Sequence, residues 1–136
     1  MRLAVLLAAT VWTARRTLFV VRIDGASMEP TFRSGDAVLA VQTSVDPRIR
    51  HGDVVVCRLP GQLQGPTGLL VKRVTGLAGD EVEGVGVLAP GQVFVCGDGS
   101  LSFDSRSFGP LPVSAVRGRV VAQLSLTPRR HLSIGG

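Results

Sequence analysis

Ser27 lies in a segment whose residue types suit a nucleophile. Residues 25–32 (GASMEPTF) directly follow an apolar, extended run at 18–23. Glycine permits a tight turn, while Pro30 fixes its own φ and favours extended geometry at Glu29. A serine in so rigid a turn presents its hydroxyl and backbone N–H in a fixed direction, as acyl transfer requires. Taken alone, however, a serine between glycine and proline is more often an ordinary turn residue.

Lys72 occupies an unusual place in a second segment, 69–76 (LLVKRVTG), which alternation predicts to be a β-strand. The alternation puts Lys72 on one face with Leu70 and Val74. Burial of that face would lower the lysine pKa, and a drop of about 3 units would leave nearly a third of the molecules neutral at pH 7. A neutral lysine can act as a general base. On its own, the segment also fits a lysine that snorkels at a strand edge.

A third segment, 97–109 (GDGSLSFDSRSFG), is a polar loop that follows the apolar strand at 93–96. Asp104 and Arg106 are close enough in sequence to pair within a tight turn. Ser102 and Ser105 offer hydroxyls that could orient a neighbouring amine. Without the other two segments, this would be an ordinary loop.

Together these segments resemble the bacterial type I signal peptidases, the membrane-bound serine–lysine proteases that remove signal peptides. That family is marked by the patterns G-x-S-M-x-P-T, K-R-V-x-G-x-x-G-D, and G-D-N followed by S-x-D-S-R-x-x-G. This chain has GASMEPT at 25–31, KRVTGLAGD at 72–80, GD at 97–98, SFDSRSFG at 102–109, and the weaker segments SGDAVL at 34–39 and GDVVV at 52–56. Order and spacing agree over residues 18–126.

The resemblance implies a role for each matching position. Ser27 would be the nucleophile, Lys72 the general base, and Ser102 the hydroxyl that orients the lysine amine. The backbone N–H of Ser27 would donate to the oxyanion of the transition state. The residues expected to brace the loop beneath the site are Asp104, Arg106 and Arg73. Those expected around the substrate and the oxyanion are Gly25, Ala26, Met28 and Pro30.

Three departures from the family pattern affect the support of the site. Some members carry a hydroxyl two residues before the nucleophile, where this chain has Gly25. The second oxyanion donor must therefore come from elsewhere or be absent. Gly99 replaces the usual Asn, and the loop from Gly97 to Arg106 is one residue shorter than expected.

Other catalytic assignments are weaker. His51 precedes a strand and is expected to be an exposed turn residue, and His131 lies in a polar tail. The histidine base of the eukaryotic relatives is replaced by Lys72. Two cysteines and two unrelated histidines give no metal-ligand spacing, so we expect neither a metal nor a cofactor. Cys57 and Cys96 lie in apolar strand patterns, which favours free thiols over a disulfide.

The composition predicts one all-β domain. The chain has 136 residues with 17 glycines and 8 prolines, and its apolar runs are short and rich in valine. This pattern favours a sandwich or a partly open barrel, and the resemblance implies antiparallel sheets of the signal-peptidase type. The glycines at 84 and 86 indicate a hairpin turn, Gly118 indicates a bulge or bend, and 62–68 is expected to be a loop.

The predicted strands are 18–23, 37–42, 53–59, 69–76, 80–88, 92–96 and 113–126. The predicted regions are an anchor at 1–21, a catalytic β domain at 18–128 and a polar tail at 129–136.

The net charge of +5 does not indicate a nucleic-acid partner. The basic residues are scattered, and five Phe, one Trp and no Tyr leave little surface for base stacking. A basic surface near anionic lipid headgroups explains the charge better. The expected partners are therefore preprotein signal peptides and membrane lipid.

The N-terminal run from Leu3 to Ala14 is apolar and compatible with a helix, but Arg15 and Arg16 interrupt it. Twelve helical residues cover about 18 Å, against about 30 Å of hydrocarbon in a bilayer. The family resemblance favours a single-pass anchor in the cell membrane, with the catalytic domain on the extracytoplasmic side. A half-inserted or truncated anchor is the alternative.

The leading functional prediction is an endopeptidase that cleaves exported preproteins after small residues at −1 and −3. The client range stays open between many preproteins and one dedicated client. A soluble, self-processing Ser–Lys peptidase of the repressor-cleaving type is disfavoured because residues 1–17 cannot form a DNA-binding domain. A non-catalytic binding module is disfavoured because Ser27 and Lys72 are both present.

Overall fold

The computed structural model describes residues 1–59 and 68–124, and within them strands predominate. The described part of the chain is therefore mostly β, which agrees in part with the all-β prediction, since α1 is a helix of 16 residues. The helices are α1 (Arg2–Thr17) and α2 (Ser105–Phe108), with a 3₁₀ turn at Val113–Ala115. The strands are β1 (Leu18–Arg22), β2 (Ala37–Gln42), β3 (Val54–Arg58), β4 (Leu69–Leu77), β5 (Glu81–Val82), β6 (Gly86–Val87), β7 (Gln92–Cys96), β8 (Leu111–Pro112) and β9 (Val116–Leu124).

Seven of the described strands form one antiparallel sheet in the order β1-β2-β9-β3-β4-β7-β8. The sheet curls into a half-barrel, so the structure agrees with the partly open barrel rather than the sandwich. β1 and β8 lie at its two edges. β5 and β6 pair separately as a small hairpin.

The side chains of β3 show how the sheet separates two apolar clusters. Val54 and Val56 pack in one cluster with Met28 and Phe32, whereas Val55 and Cys57 pack in the other. This is the period-2 alternation of a strand that is buried on both faces. The first cluster lies beneath the Ser27 turn, so packing beneath the sheet surface supports that turn.

Bulges bend the long strand β9. Its register shifts where Val56 faces Gly118 and Cys57 faces Val116. A Cβ at Gly118 would overlap the ring of Phe19. The predicted bulge or bend at Gly118 is confirmed, and the close approach of Phe19 explains why a residue without a side chain is required there.

Several boundaries differ from the sequence prediction. The strand predicted at 80–88 is the hairpin of β5 and β6, with the turn that the glycines at 84 and 86 indicated. Residues 113–115 form a 3₁₀ turn, and α2 and β8 were not predicted, because two to four residues are too few to show a period. The end of the strand predicted at 113–126, most of the loop predicted at 62–68, and the tail at 129–136 lie outside the described residues.

The apolar N-terminal run does form a helix. None of the side chains of α1 is buried, and the guanidinium of Arg16 lies 4.0 Å from the ring centre of Trp12. In the described part of the chain, no helix has both the length and the apolar character needed to cross a bilayer. The single-pass anchor therefore stays a prediction.

Candidate active site

The turn that carries Ser27 is held by its own backbone and by two buried side chains. Gly25 has φ of 85°, a conformation that L side chains rarely adopt. The N–H of Glu29 donates to Ala26 O at 3.1 Å, and the N–H of Phe32 donates to Met28 O at 2.9 Å. Met28 is 1% exposed and Phe32 is also buried, so both anchor the turn in the core.

Ser27 itself is half-buried and faces a cleft. The cleft has a volume of about 460 Å³ and lies between the end of β1 and the start of β4, with Ser27 and Ser34 among its lining residues. Among the described residues, no acceptor receives the backbone N–H of Ser27. That N–H is therefore available to a group that enters the cleft, and its role as an oxyanion donor stays a prediction.

Lys72 lies in the middle of β4 and is 2% exposed. Val55 is its cross-strand partner on β3, and the buried Val74 lies two residues further along β4 on the same face. Desolvation lowers the pKa of the Lys72 amine, although the negative charge of Asp104 opposes that shift. The predicted burial and the predicted direction of the pKa shift both agree with the structure.

Ser102 connects Lys72 to the Ser27 turn. The Nζ atom of Lys72 donates to Ser102 Oγ at 3.1 Å. A Cβ at Gly97 would overlap both Ser102 Oγ and the carbonyl oxygen of Ser27, so these two groups lie against the same glycine. The N–H of Gly99 donates to Ser27 O at 2.8 Å. The loop after β7 thus contacts both predicted catalytic residues, but the described residues contain no direct hydrogen bond between Ser27 Oγ and Lys72 Nζ.

Asp104 is the buried centre of that loop. Its side chain is fully buried and accepts from Arg106 Nη2 at 2.6 Å, from Arg106 Nε at 2.9 Å, and from the N–H of Gly97 at 2.8 Å. Desolvation would raise the pKa of Asp104, but hydrogen bonds from Arg106, Gly97 and Ser102 outweigh it and lower the pKa below its usual value. Asp104 therefore stays ionised and holds Ser102 in place. The pairing of Asp104 with Arg106 was correctly predicted.

Arg73 contacts the same loop. The sequence predicted that it braces this loop together with Asp104 and Arg106, and its Nε and Nη2 atoms donate to the two carboxylate oxygens of Asp98 at 2.8 and 2.7 Å. Alternation explains this, because Arg73 points to the opposite face of β4 from Lys72.

Asp98 is the site residue that sequence reasoning did not single out. Besides binding Arg73, its carboxylate accepts from Thr31 Oγ1 at 2.6 Å. The side-chain hydrogen bond from Arg73 is the main reason why the pKa of Asp98 lies below its usual value. Asp98 thereby joins the Ser27 turn to the strand of Lys72. The Gly-Asp pair at 97–98 was a visible motif, but its partners became evident only from the fold.

The remaining candidates do not join the site. His51 is exposed and pairs with Asp80 in a contact between two turns. Cys57 and Cys96 are free thiols, as expected, and burial raises the pKa of the Cys57 thiol to about 12. In residues 1–59 and 68–124, no three His, Cys, Asp or Glu side chains come together as a metal site. His131 lies outside the described residues.

Comparison with known proteins identifies the family. The pattern of the family described as signal peptidase, peptidase S26, matches residues 1–87 and 83–125. Mitochondrial inner membrane protease subunit 1 of Homo sapiens is 35% identical over 112 residues, covering 74% of this chain and 66% of that protein. Subunit 2 from Danio rerio is 35% identical over 123 residues, covering 81% of this chain and 66% of that protein. Mitochondrial ATP-independent inner membrane protease subunit 1a of Arabidopsis thaliana is 35% identical over 126 residues, covering 82% and 73% respectively.

The chain therefore belongs to the signal peptidase family S26. It spans 66% of the length of the human and Danio rerio relatives. The predicted family is confirmed. That the chain is of the bacterial type stays a prediction, since these relatives are mitochondrial.

Proposed function

We propose that this S26 peptidase is a membrane-associated endopeptidase that removes signal peptides from exported preproteins with a Ser27–Lys72 dyad. The observation that carries the proposal is the Lys72 amine, which is 2% exposed, has a lowered pKa, and is bonded to Ser102 beside the Ser27 turn. A buried lysine without an ion-pair partner is costly unless its neutral form is used. A neutral amine is the form that a general base requires.

The hydrogen bonds around Lys72 suit that role. Ser102 Oγ accepts a hydrogen bond from the amine, and its own hydroxyl donates to the ionised Asp104. The neutral amine is thereby oriented through its N–H, and its lone pair stays available to the Ser27 hydroxyl. Hydrogen bonds of a catalytic pair are often long before substrate binds, so closure of Ser27 Oγ onto Lys72 Nζ is expected in the substrate complex.

The reaction proceeds in two acyl-transfer steps. Ser27 Oγ attacks the scissile carbonyl carbon as its proton passes to Lys72 Nζ, and the carbonyl electron pair moves onto oxygen. When the oxyanion collapses, the C–N bond breaks and the leaving amine takes the proton from Lys72. Water then attacks the acyl-enzyme, gives a proton to Lys72, and releases the acid as Ser27 recovers that proton.

The cleft favours an extended substrate with small side chains near the cut. β1 is an edge strand of the described sheet, so its outer backbone groups can pair with a peptide in the manner of an added strand. Apolar side chains line both sides of the cleft, among them Ile23 after β1 and Val71 in β4. The substrate proposed is a preprotein with small residues at −1 and −3.

Membrane attachment is assigned to α1. Its apolar side chains are exposed, among them Leu6, Leu7 and Trp12, and Arg15 and Arg16 lie in its last turn. Such a helix can enter a bilayer while its arginines remain at the headgroups. The relatives are named as inner membrane proteases, which supports a membrane location. We assign the catalytic domain to the side to which preproteins are exported.

The test is cleavage of a panel of preproteins by the full chain in detergent, with sequencing of the new N-termini. Cleavage after small residues at −1 and −3 is expected, and Ser27→Ala and Lys72→Ala should abolish it while the protein stays folded. The panel also separates a broad client range from a single client. If Lys72→Ala kept near-full activity, the dyad would be wrong.

A further inference from the structure

Ser34 lines the same cleft as Ser27 and has no role in the reaction described above. We propose that its hydroxyl is the second donor of the oxyanion hole, in an inference that rests on the proposed function. The Ser27 N–H supplies one donor, while Gly25 has no side chain that could supply another. Oxyanion charge in acyl transfer is commonly held by two preorganised donors.

Backbone pairing holds Ser34 next to Gly25. The N–H of Ile23 donates to Asp36 O at 2.7 Å, and the N–H of Gly35 donates to Ile23 O at 2.8 Å. The two segments are thus joined beyond the end of β1. Between them, the N–H of Gly25 donates to Ser34 Oγ at 3.2 Å. The hydroxyl is therefore fixed to the segment that carries Ser27, two residues before the nucleophile.

The bond to Gly25 leaves the hydroxyl proton available. Ser34 Oγ acts there as an acceptor, and no described residue accepts a hydrogen bond from it. A hydroxyl has one donor and two acceptor sites, so one bond as an acceptor does not prevent donation. The accepted bond restricts the oxygen position, which favours preorganisation of the donor. No proton is transferred, because the hydroxyl only donates a hydrogen bond to the oxygen that gains the carbonyl electron pair.

The other polar side chains of the cleft are less suited to this role. Asp24 lines the cleft as an acceptor and would repel an oxyanion. The exposed guanidinium of Arg22 is oriented by a hydrogen bond from Nη1 to Gly35 O at 3.3 Å, whereas Ser34 Oγ is bonded to the segment that carries Ser27. Apart from the nucleophile, Ser34 carries the one hydroxyl among the described residues that line this cleft.

The experiment measures single-turnover cleavage of a quenched fluorescent peptide with alanine at −1 and −3, using the full chain in detergent. Ser34→Ala should lower the cleavage rate about 10²-fold, as loss of one oxyanion donor does elsewhere. KM and the pH midpoint of the rate should stay unchanged, since neither substrate binding nor Lys72 is altered. Ser34→Thr, which keeps the hydroxyl, should recover most of the rate.

A matched control is Ser44→Ala. Ser44 is also exposed and has a single side-chain hydrogen bond, to Gln42 Oε1 at 3.4 Å, but lies outside this cleft. This variant should keep the wild-type rate. The thermal midpoint of each variant separates loss of a donor from loss of structure.

The outcomes separate the inference from the function on which it rests. An active wild type together with a Ser34→Ala rate within twofold of it would overturn the inference alone. The same follows if Ser34→Ala acts only by raising KM or by lowering the thermal midpoint, or if Ser34→Thr is as slow as Ser34→Ala. A wild type no faster than Ser27→Ala would instead reject the proposed function and the inference together.

Discussion

The turn of Ser27 and the strand of Lys72 position their side chains in opposite ways. Ser27 is half-buried and borders an open cleft, and the chain around it is shaped by Gly25 and by buried anchors such as Met28. Lys72 is 2% exposed and sits in the middle of a nine-residue strand. The proposed nucleophile is accessible to a substrate, while the proposed base is shielded from water.

This difference is what a Ser–Lys dyad would require, because its two side chains need different exposure to water. A hydroxyl that attacks a peptide must be accessible, whereas an amine that accepts a proton near neutral pH must be desolvated. The loop after β7 joins them, because Ser102 binds Lys72 while Gly99 binds the carbonyl of Ser27. The following predictions test this division, from the largest effect to the smallest.

The largest effect is expected from removing either member of the dyad. Ser27→Ala and Lys72→Met should each lower kcat by about 10⁴-fold or more, and the double variant should be no slower than either single one. Neither substitution should lower the free energy of unfolding. Ser27→Ala should be neutral, whereas Lys72→Met should be neutral or stabilising, since an apolar side chain replaces a buried amine. Peptide cleavage and urea unfolding measure both, and strong destabilisation by Lys72→Met would contradict the assigned burial.

Gly97→Ala tests the contact between the two regions. The added Cβ would overlap Ser102 Oγ and Ser27 O, so the loop must shift. A displacement of about 1 Å costs on the order of 10²-fold in rate, and we expect kcat to fall by that factor. Gly76→Ala is the control, because its Cβ would crowd Leu88 at 3.0 Å and Phe94 at 3.1 Å, away from the site. It should lower the thermal midpoint without a selective loss of kcat.

Asp98→Asn weakens the tie between the Ser27 turn and β4. The carboxylate accepts from Thr31 and twice from Arg73, and the amide can replace only part of these bonds. A drop in kcat of roughly tenfold is expected from the looser geometry. Asp46→Asn disturbs a comparable ion pair with Arg48 and Arg119 elsewhere and should leave kcat unchanged. If the two variants lowered kcat equally, Asp98 would have no particular role in positioning the Ser27 turn.

The pH dependence of the rate reports the state of Lys72. Because desolvation lowers its pKa, kcat/KM should rise with pH through a midpoint below 10.5, the ordinary lysine value. Between that midpoint and 10.5 the unfolded chain binds more protons than the folded one, so stability should also increase with pH in this range. Lys72→Met should remove this rise in stability. A midpoint at or above the ordinary value would contradict the desolvated amine.

The smallest effect is expected in acid. The folded-state pKa values of Asp98 and Asp104 lie below 3.8, so their ionised forms stabilise the protein above that pH. This stability should be lost as the pH falls below about 4, by about 1 to 2 kcal/mol in total. Urea unfolding at a series of pH values measures it. Asp98→Asn should show a smaller loss than the wild type.

Local patterns predicted most strands of the fold. Short, valine-rich apolar runs located β1, β2, β3, β4 and β7 to within about two residues, since a strand needs only about four to eight such residues to be visible. Gly118 was also identified as a bend. α2 and β8 were not predicted, because each depends on contacts with β7: the N–H of Val95 donates to Ser105 Oγ at 3.0 Å, and β8 pairs with β7.

The sequence by itself determined the S26 family, the segments that carry Ser27, Lys72 and Ser102, and the pairing of Asp104 with Arg106, because these depend on motif order and short-range spacing. Only the tertiary structure decided that Asp98 is the partner of Arg73 and Thr31, and that Ser34 shares the cleft with Ser27. Such contacts depend on sheet order and register, which bring together residues far apart in the chain.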